Sequence, residues 1–235
     1  MPRDPDEQPL DERGRGLRSA IDLLHTGGNH GKLVLKVQML RPDITIYFVR
    51  HGETDWNLAQ RYQGQRDIPL NATGRAQATR NGRALARVLG ANADALDYAA
   101  SPLVRARETM EIMRREIGLP PGAYRTDDRL REIGYGHWEG ELWGELPIRD
   151  PQGFAAREAD KWGWQPQGGE SYRALSERVA AWLGDVDRSV VVAAHGGVMR
   201  VLRGLCGELA PAEIFALDVP QDKVLVIECG RTSWL

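Results

Sequence analysis

Two apolar segments that each end at a histidine constrain this chain more than any other feature. Residues 190–194 read Val-Val-Val-Ala-Ala without polar alternation, which is typical of a strand buried on both faces of a parallel sheet, and His195 follows directly. Residues 44–49 are mostly β-branched or aromatic, and they lead through one arginine to His51. Both histidines are therefore predicted at the carboxyl ends of core strands, where ligands bind in open α/β sheets.

Helical patterns fill the intervals between the strands. Shorter strands are predicted at residues 97–100 and 224–228, one helix with Thr73 as its N-cap, and another that Ser101 caps with Pro102 in its first turn. Strands that alternate with helices predict an α/β fold, a three-layer doubly wound, mostly parallel sheet with helices on both faces. The predicted buried faces are Ala78, Gly82, Leu85 and Leu89; Ala106, Met110, Met113 and Ile117; Tyr172, Leu175, Val179 and Trp182; and Val198, Leu202 and Leu205.

The chain divides into an extension and one domain. Residues 1–20 are rich in Asp, Glu, Arg and Pro without an apolar period, and residues 1–40 are predicted to be a disordered or mis-called N-terminal extension, with a short strand at residues 31–37. One hypothesis starts translation at Met39, which the intact mass of the native protein would test. Residues 41–235 are predicted to form a single domain.

Composition excludes several classes of partner. The net charge is −2, from 31 basic and 33 acidic residues, so no global field favours nucleic acid or a membrane surface. No stretch approaches the roughly 20 apolar residues of a membrane span. The chain has two cysteines, Cys206 and Cys229, and no apolar signal segment, which predicts a cytoplasmic protein.

The residues around the two histidines suit phosphoryl transfer. That reaction needs a neutral imidazole aimed at phosphorus, cations around the equatorial oxygens and an acid for the leaving oxygen. Arg50 and Arg105 supply planar donors that match phosphate oxygens. Arg105 also falls in the first turn of a predicted helix, where free amides favour an anion. Gly196, after His195, allows a ligand to approach the backbone.

Ordered motifs make this pattern specific. A lone Arg-His-Gly is weak evidence, whereas several ordered blocks in strand and helix context are strong evidence. The blocks resemble the histidine phosphatase superfamily, branch 1, the phosphoglycerate mutase-like group. They are Arg50-His51-Gly52-Glu53-Thr54-Asp55-Trp56-Asn57; Gln63-Gly64 with Asp67-Ile68-Pro69-Leu70 and Gly74; Ser101-Pro102-Leu103-Val104-Arg105-Ala106; Leu130-Arg131-Glu132 with Gly136 and Trp138-Glu139-Gly140; and Ala194-His195-Gly196-Gly197.

The resemblance implies a phosphoglycerate mutase-like fold and a histidine phosphatase catalytic domain over residues 41–235. It implies that His51 becomes phosphorylated and that Glu132 is the proton donor. No metal or other cofactor is expected, and the partner is a small-molecule phosphate ester, bound by a monomer or homodimer. The residues that it assigns to the phosphate are Arg50, Asn57, Arg105, His195 and Gly196.

The residues by themselves leave alternatives open. Either histidine, considered alone, is consistent with a structural residue at a strand end whose ring nitrogens are hydrogen-bonded within the protein. Asn57 is likewise consistent with a helix cap. Two histidines and one glutamate can also mimic a metal triad, although converging arginines repel a divalent cation. The acid role has four competitors, which spacing cannot separate from Glu132, and only the resemblance prefers Glu132. The competitors are Glu53, Asp67, Glu139 and Glu170.

The segment after Glu132 favours hydrolysis. It resembles the phosphatase branch, whereas cofactor-dependent mutases resemble a pattern with histidine, tyrosine and paired glycines there, followed by a longer basic insertion. The predicted function is a metal-independent phosphomonoester hydrolase that acts through phosphohistidine on a small phosphorylated metabolite. A cofactor-dependent phosphoglycerate-type mutase and a catalytically idle phosphate-binding protein are the alternatives. Four tryptophans suit either an aromatic wall over the leaving group or a cover for the sheet: Trp138, Trp143, Trp162 and Trp164.

Overall fold

The structure is a computed structural model that describes residues 43–207, 209–228 and 230–235. The predictions for residues 1–40, including the strand at 31–37 and the start at Met39, lie outside the described residues. No helix within the described ranges is long and apolar enough to cross a membrane.

A six-stranded sheet in the order β3-β2-β4-β1-β5-β6 forms the centre of the domain. The four strands from β3 to β1 are parallel, and β5 and β6 add an antiparallel edge. This mixed sheet confirms the predicted, mostly parallel α/β fold. The strands are β1 Thr45–Arg50, β2 Asp97–Ala100, β3 Arg125–Thr126, β4 Val190–Ala194, β5 Val224–Glu228 and β6 Arg231–Trp234.

Helices cover both faces of the sheet. The described α-helices are α1 Asp55–Leu58, α2 Ala72–Leu89, α3 Val104–Ile117, α4 Leu146–Arg149, α5 Pro151–Ala159, α6 Tyr172–Gly184 and α7 Gly196–Gly207. Short 3-10 helices lie at Gly90–Ala95, Asp128–Leu130, Gly136–Trp138, Trp143–Glu145 and Glu213–Ala216.

Alternate residues of the central strands enter two separate cores. Val192 of β4 packs in the core beneath α6 and α7, whereas Val191 packs in the core beneath α2 and α3. Every residue of β4 is buried, because this strand has helices on both faces. Burial on both faces of β4, which the apolar run without alternation predicted, is therefore confirmed.

The strand predictions differ from the structure by little. The strands at 97–100, 190–194 and 224–228 are confirmed, and the strand predicted at 44–49 is β1, one residue later. The predicted buried faces are also largely confirmed in α2, α3, α6 and α7. The edge strands β3 and β6 and the helices α4 and α5 were not predicted.

The prediction that Thr73 caps α2 was wrong. The N-cap is Asn71, whose side-chain oxygen accepts from the amide of Gly74 at 2.9 Å. The Asn71 amide group also donates to Glu53 at 2.9 Å, so this cap ties the start of α2 to the segment after β1. Asparagine is as good a cap as threonine, and the tertiary contact selects it.

The prediction that Ser101 caps α3 was also wrong. The helix begins at Val104 after an N-cap at Leu103, which has no side-chain cap bond. Ser101 lies two residues before this N-cap, and its hydroxyl accepts from the amide of Leu103 at 3.3 Å instead of capping the helix. A side chain from another loop replaces the cap, since Asp67 accepts from the amide of Val104 at 2.7 Å.

Candidate active site

The ends of β1 and β4 bring the two predicted histidines together. The strands are parallel neighbours, and Arg50 pairs with Ala194 in their register. The amide of His51 continues this ladder and donates to the carbonyl of Ala194 at 2.9 Å. The ring centroids of His51 and His195 are consequently 5.1 Å apart, with the rings inclined at 61°.

Two hydrogen bonds fix the tautomer of His51. Its Nδ1 lies 2.8 Å from the carbonyl oxygen of Gly52, which can only accept, so Nδ1 carries the proton. Its Nε2 lies 3.2 Å from Nε of Arg105, which can only donate, so Nε2 presents a lone pair. The result is a neutral imidazole with a nucleophilic nitrogen beside a guanidinium group.

Burial keeps both imidazoles neutral. It lowers the pKa of His51 well below 6.5, the charges of Arg105 and Arg50 lower it further, and the hydrogen bond to Gly52 opposes them. Burial likewise lowers the pKa of His195 well below 6.5, with Arg105 the next largest cause. Neither ring therefore carries a proton charge at neutral pH.

Arg105 is a buried cation that the backbone holds in place. Its Nη1 donates to the carbonyl of Arg66 and its Nη2 to that of Gly64, both at 2.7 Å. Burial lowers the pKa of Arg105 to about 10, and the charge of Glu132 opposes this shift. Because about 10 is still well above neutral pH, Arg105 remains a fixed positive charge next to His51.

Arg50 has a donor without a protein acceptor. Its Nη1 donates to the carbonyl of Val219 at 2.8 Å, while its Nε is buried with no hydrogen-bond partner within the described residues. A Cβ atom on Gly196 would lie 3.4 Å from this Nε, so the glycine keeps the space beside it open. A buried N–H without an acceptor is costly unless a ligand supplies one.

Ser101 orients the ring of His195. The hydroxyl accepts from the amide of Leu103 at 3.3 Å and lies 2.7 Å from Nε2 of His195. A hydroxyl that accepts from Leu103 can still donate its own hydrogen, and when it donates to Nε2 the ring proton of the neutral imidazole lies on Nδ1. This Nδ1 is buried and has no partner among the described residues. In that tautomer His195 offers one N–H donor close to His51.

Glu132 is held by backbone amides next to the start of α7. Its carboxyl oxygens accept from the amide of Gly197 at 3.1 and 3.2 Å, and Oε1 also accepts from Ile133 at 3.0 Å. A Cβ atom on Gly197 would lie only 2.4 Å from Oε1. The absence of a side chain at Gly197 therefore permits the carboxyl to reach its position.

The rival carboxylates do not line the cavity that contains His51, whereas Glu132 does. This arrangement agrees with the choice that the family resemblance made. The rivals hydrogen-bond elsewhere, Glu53 to Asn71 at 2.9 Å, Asp67 to Val104 at 2.7 Å, Glu139 to Tyr135 at 3.1 Å and Glu170 to Arg178 at 2.7 Å.

Asn57 has a structural role that the sequence left open. Its side-chain oxygen accepts from the amide of Thr54 at 3.2 Å and completes a capping box at α1. Gln221 donates to the same oxygen at 3.1 Å and to the carbonyl of His51 at 3.0 Å. Asn57 also lines the cavity, and phosphate binding by this residue stays a prediction.

The cavity has a volume of about 180 Å³. The predicted residues Arg50, His51, Asn57, Arg105, Glu132 and Gly196 line it, whereas His195 is fully buried close to His51 and is not part of its wall. The structure therefore brings the predicted site residues to one place, with the ring of His195 directly behind the cavity wall next to His51.

Several cavity residues were missed from the sequence. Arg200 lies one helical turn after Gly196 in α7, and this i, i+4 spacing was a usable signal. Val219 contributes the carbonyl oxygen that accepts from Arg50. A backbone carbonyl of this kind cannot be predicted from a pattern of side chains. The other missed lining residues are Arg61, Tyr62 and Tyr135.

One of the four tryptophans is placed to form an aromatic wall. Trp143 lines the cavity and is 46% exposed. Trp138 is buried and donates to Asp150 at 2.8 Å, Trp162 is buried in the core, and Trp164 lies 4.3 Å from Trp138 between ring centroids. These three residues pack against the protein as a cover would, whereas Trp143 lines the cavity.

The charge distribution at the site favours an anion. Within the part of the chain that the structure describes, no group of three or more His, Cys, Asp or Glu side chains could hold a metal ion. The cavity is lined by arginines and a single carboxylate, Glu132. Such a set of donors attracts phosphate and repels a divalent cation.

Comparison with known proteins agrees with this geometry. The family model of the histidine phosphatase superfamily (branch 1) matches residues 46–235. The chain belongs to this superfamily. The match covers the whole constellation from the strand before His51 to the C-terminus, so this histidine phosphatase superfamily member carries its candidate site inside the shared domain.

Named relatives include both phosphatases and mutases. The chain is 36% identical over 202 residues to a glucosyl-3-phosphoglycerate phosphatase of Mycobacterium tuberculosis, which covers 80% of this superfamily member and 82% of the relative. It is 33% identical over 210 residues to a 2,3-bisphosphoglycerate-dependent phosphoglycerate mutase of Rhizobium rhizogenes, covering 80% and 92%.

A solved structure shows the same fold. The crystal structure of phosphoglycerate mutase from Thermus thermophilus matches with a TM-score of 0.59 and 34% identity. The match covers 78% of this superfamily member and 92% of that chain. The phosphoglycerate mutase-like fold is therefore shown.

Proposed function

We propose that this protein is a metal-independent phosphomonoester hydrolase that acts through a phosphohistidine at His51 on a small phosphorylated metabolite. The observation that carries the proposal is the tautomer of His51. Its Nδ1–H is held by the carbonyl of Gly52, and its Nε2 lone pair faces Arg105. A histidine fixed in this way attacks phosphorus without first losing a proton.

In the first step, Nε2 of His51 forms a bond to phosphorus and the ester P–O bond breaks. The phosphoryl group takes the place of the hydrogen bond between Arg105 and Nε2, and Arg105 then pairs with a phosphoryl oxygen. The free Nε–H of Arg50 and the free Nδ1–H of His195 donate to the other oxygens. The protonated carboxyl of Glu132 gives its proton to the leaving oxygen.

In the second step, the carboxylate of Glu132 accepts a proton from water. The water oxygen forms a bond to phosphorus, and the bond between phosphorus and Nε2 of His51 breaks. Inorganic phosphate leaves, and both His51 and Glu132 return to their starting protonation states. The same carboxyl therefore acts first as an acid and then as a base.

Two observations support hydrolysis without a metal. The cavity wall combines arginines with one carboxylate, which disfavours a bound divalent cation. Relatives at 32–36% identity include proteins named as phosphatases, one of them a metal-independent phosphoserine phosphatase of Arabidopsis thaliana. The mutase alternative has its own support, because a relative named as a mutase is 33% identical.

Replacement of His51 tests the covalent step. His51→Asn keeps a polar side chain of similar reach but has no nucleophilic nitrogen. We expect it to abolish the radiolabelled phosphoenzyme that the wild type forms with a labelled ester in a neutral quench. His137→Asn is the matched control, because His137 is exposed outside the cavity and bonded to Asp150 at 3.2 Å. A phosphoenzyme of unchanged yield in His51→Asn would contradict the proposal.

A substrate panel separates the rival functions. Phosphate release from a set of esters is measured with and without a chelator, beside a 3-phosphoglycerate mutase assay that contains bisphosphoglycerate. Release that the chelator does not reduce is expected. Mutase activity that exceeds phosphate release would favour the mutase, and neither activity together with no phosphoenzyme would favour an idle phosphate-binding protein.

A further inference from the structure

Arg178 of α6 is held in one orientation beside the segment that carries Glu132. Its Nε and Nη2 donate to the two carboxylate oxygens of Glu170 at 2.7 and 2.8 Å, so this ion pair is bidentate. Its Nη1 donates to the carbonyl of Arg129 at 2.6 Å, and its Nη2 also donates to the carbonyl of Glu132 at 3.1 Å. Arg178 does not line the cavity, so it can act on a substrate only through another residue.

The peptide unit between Glu132 and Ile133 connects this guanidinium group to the carboxyl. The carbonyl of the unit accepts from Arg178 and also from Nε2 of Gln65 at 3.1 Å. The N–H of the unit belongs to Ile133 and donates to Oε1 of Glu132 at 3.0 Å. A trans peptide unit is planar, and its C=O and N–H point in opposite directions. The two donors that hold the carbonyl therefore also aim the N–H at the carboxyl.

This peptide N–H distinguishes the two oxygens of the Glu132 carboxyl. Oε1 accepts from the amides of Ile133 and Gly197 at 3.0 and 3.1 Å, and Oε2 accepts from the amide of Gly197 at 3.2 Å. A protonated carboxyl has one O–H group and one carbonyl oxygen, and the carbonyl oxygen is the better acceptor for two N–H groups. The proton of the acid is therefore directed to Oε2.

We infer that Arg178 is a positioning residue for the general acid, because it holds the Glu132–Ile133 peptide and thereby the carboxyl of Glu132. The proton then moves from Oε2 to the leaving oxygen as the ester P–O bond breaks. This inference rests on the proposed function, since it requires Glu132 as the acid. The planar guanidinium group is needed, because it can pair with a carboxylate along one edge and still donate to two carbonyls.

Replacement of Arg178 should affect the esters that need an acid. Arg178→Met has a side chain without N–H donors. We expect kcat for glycerol 3-phosphate to fall about 10- to 100-fold, the effect of a misplaced catalytic group. The leaving group of p-nitrophenyl phosphate needs little protonation, so its kcat, and KM for both esters, should change less than about threefold. An equal loss of kcat for both esters would overturn the inference, because general damage to the fold gives that result.

Two further arginine variants assign the effect to the guanidinium group. Arg178→Lys keeps a positive charge beside Glu170 but lacks the planar fork, so it should recover only part of the rate for glycerol 3-phosphate. Arg173→Gln is the matched control, since it removes an exposed arginine from the same helix, and it should change neither ester. A selective loss in Arg173→Gln as large as that in Arg178→Met would overturn the assignment.

Gln65 provides a variant that leaves the buried ion pair intact. Its exposed side chain donates to the same carbonyl of Glu132. Gln65→Ala removes this one neutral hydrogen bond, so kcat for glycerol 3-phosphate should fall about two- to tenfold while that for p-nitrophenyl phosphate stays unchanged. If Arg178→Met does not fold, this variant decides, and an equal effect on both esters would overturn the inference.

A double-mutant cycle separates this inference from the proposed function. In the background of Glu132→Gln, which has no carboxyl proton to position, Arg178→Met should lower kcat for glycerol 3-phosphate less than about twofold further. A further loss as large as in the wild-type background overturns the inference and leaves the acid role of Glu132 intact. An equal loss for both esters in Glu132→Gln itself refutes the proposed acid and the inference together.

A crystal structure of Arg178→Met reports the positioning without turnover. We expect the hydrogen bond between Ile133 and Oε1 of Glu132 to be broken, with Arg50 and Arg105 in their wild-type positions. A carboxyl of Glu132 that has not moved overturns the inference even if the wild type hydrolyses esters. A displaced carboxyl supports the positioning even if no ester is hydrolysed and the proposed function fails.

Discussion

At the scale of single residues, the proposed acid role of Glu132 predicts which substrates its replacement affects most. Glu132→Gln keeps an oxygen that can accept from the amide of Gly197 but has no carboxyl proton to transfer. We expect kcat for alkyl phosphates to fall by about 10²- to 10⁴-fold, the usual contribution of a general acid. For p-nitrophenyl phosphate, whose leaving group needs little protonation, the loss should be much smaller. Rates of the two esters measured side by side check this, and an equal loss would contradict it.

The sequence could identify residues whose side chains suit phosphoryl transfer and whose predicted position is the end of a strand or the start of a helix. His51, Arg50 and Arg105 stand at strand ends or at a helix start, and the family blocks added Glu132. The sequence could not identify the carbonyl of Val219, because every residue has one and only the fold brings it to Arg50. Asn57 shows the remaining difficulty, since one side chain can both cap a helix and line a cavity.

At the scale of elements, the contact between α2 and α3 depends on Gly82. A Cβ atom there would lie 2.8 Å from Cβ of Glu116 and 2.9 Å from the backbone of Met113. Gly82→Ala should therefore lower the free energy of unfolding by about 1–3 kcal/mol despite the better helix propensity of alanine. The control is Gly184→Ala at the end of α6, where a Cβ would meet open space. It should be neutral or stabilising by up to about 1 kcal/mol.

Urea denaturation of both glycine variants measures these changes. Equal stabilisation by Gly82→Ala and Gly184→Ala would contradict the prediction. It would show that α2 and α3 can move apart at little cost in free energy. The activity of Gly184→Ala should remain that of the wild type, because α6 lies outside the cavity wall.

Elements with strong patterns were predicted, and elements set by tertiary contacts were not. The strand β4 and the buried faces of α3 and α6 follow from local sequence. The start of α3 does not, because Asp67 from a different loop supplies the hydrogen bond that a local cap usually gives. The two-residue strand β3 has no pattern long enough to recognise and exists because β2 offers an edge.

At the scale of the whole molecule, the buried histidines link stability to pH. His51 and His195 have folded pKa values well below 6.5, the ordinary value of the side chain. Below pH 6.5 the unfolded chain therefore binds more protons than the folded protein, and the free energy of unfolding falls as the pH falls. Each histidine contributes at most about 1.4 kcal/mol per pH unit. Above pH 6.5 this contribution is constant.

Urea denaturation at pH 7.5, 6.5 and 5.5 measures this dependence. His51→Asn should show a shallower fall between pH 6.5 and 5.5 than the wild type. His137→Asn, which changes an exposed histidine, should fall as steeply as the wild type. A stability that does not change from pH 7.5 to 5.5 would contradict neutral buried imidazoles.

The parallel pairing of β1 with β4 sets the separation of His51 and His195 in whole steps of one residue. Arg50 faces Ala194 across the ladder, so the residue after each strand brings its imidazole to the same edge. Side chains alternate along a strand, and a slip of a single residue would turn one imidazole towards the opposite core. The separation of the two rings therefore cannot drift gradually. Any gradual change in the shape of the cavity has to come from residues outside this ladder, such as Trp143 and Arg200.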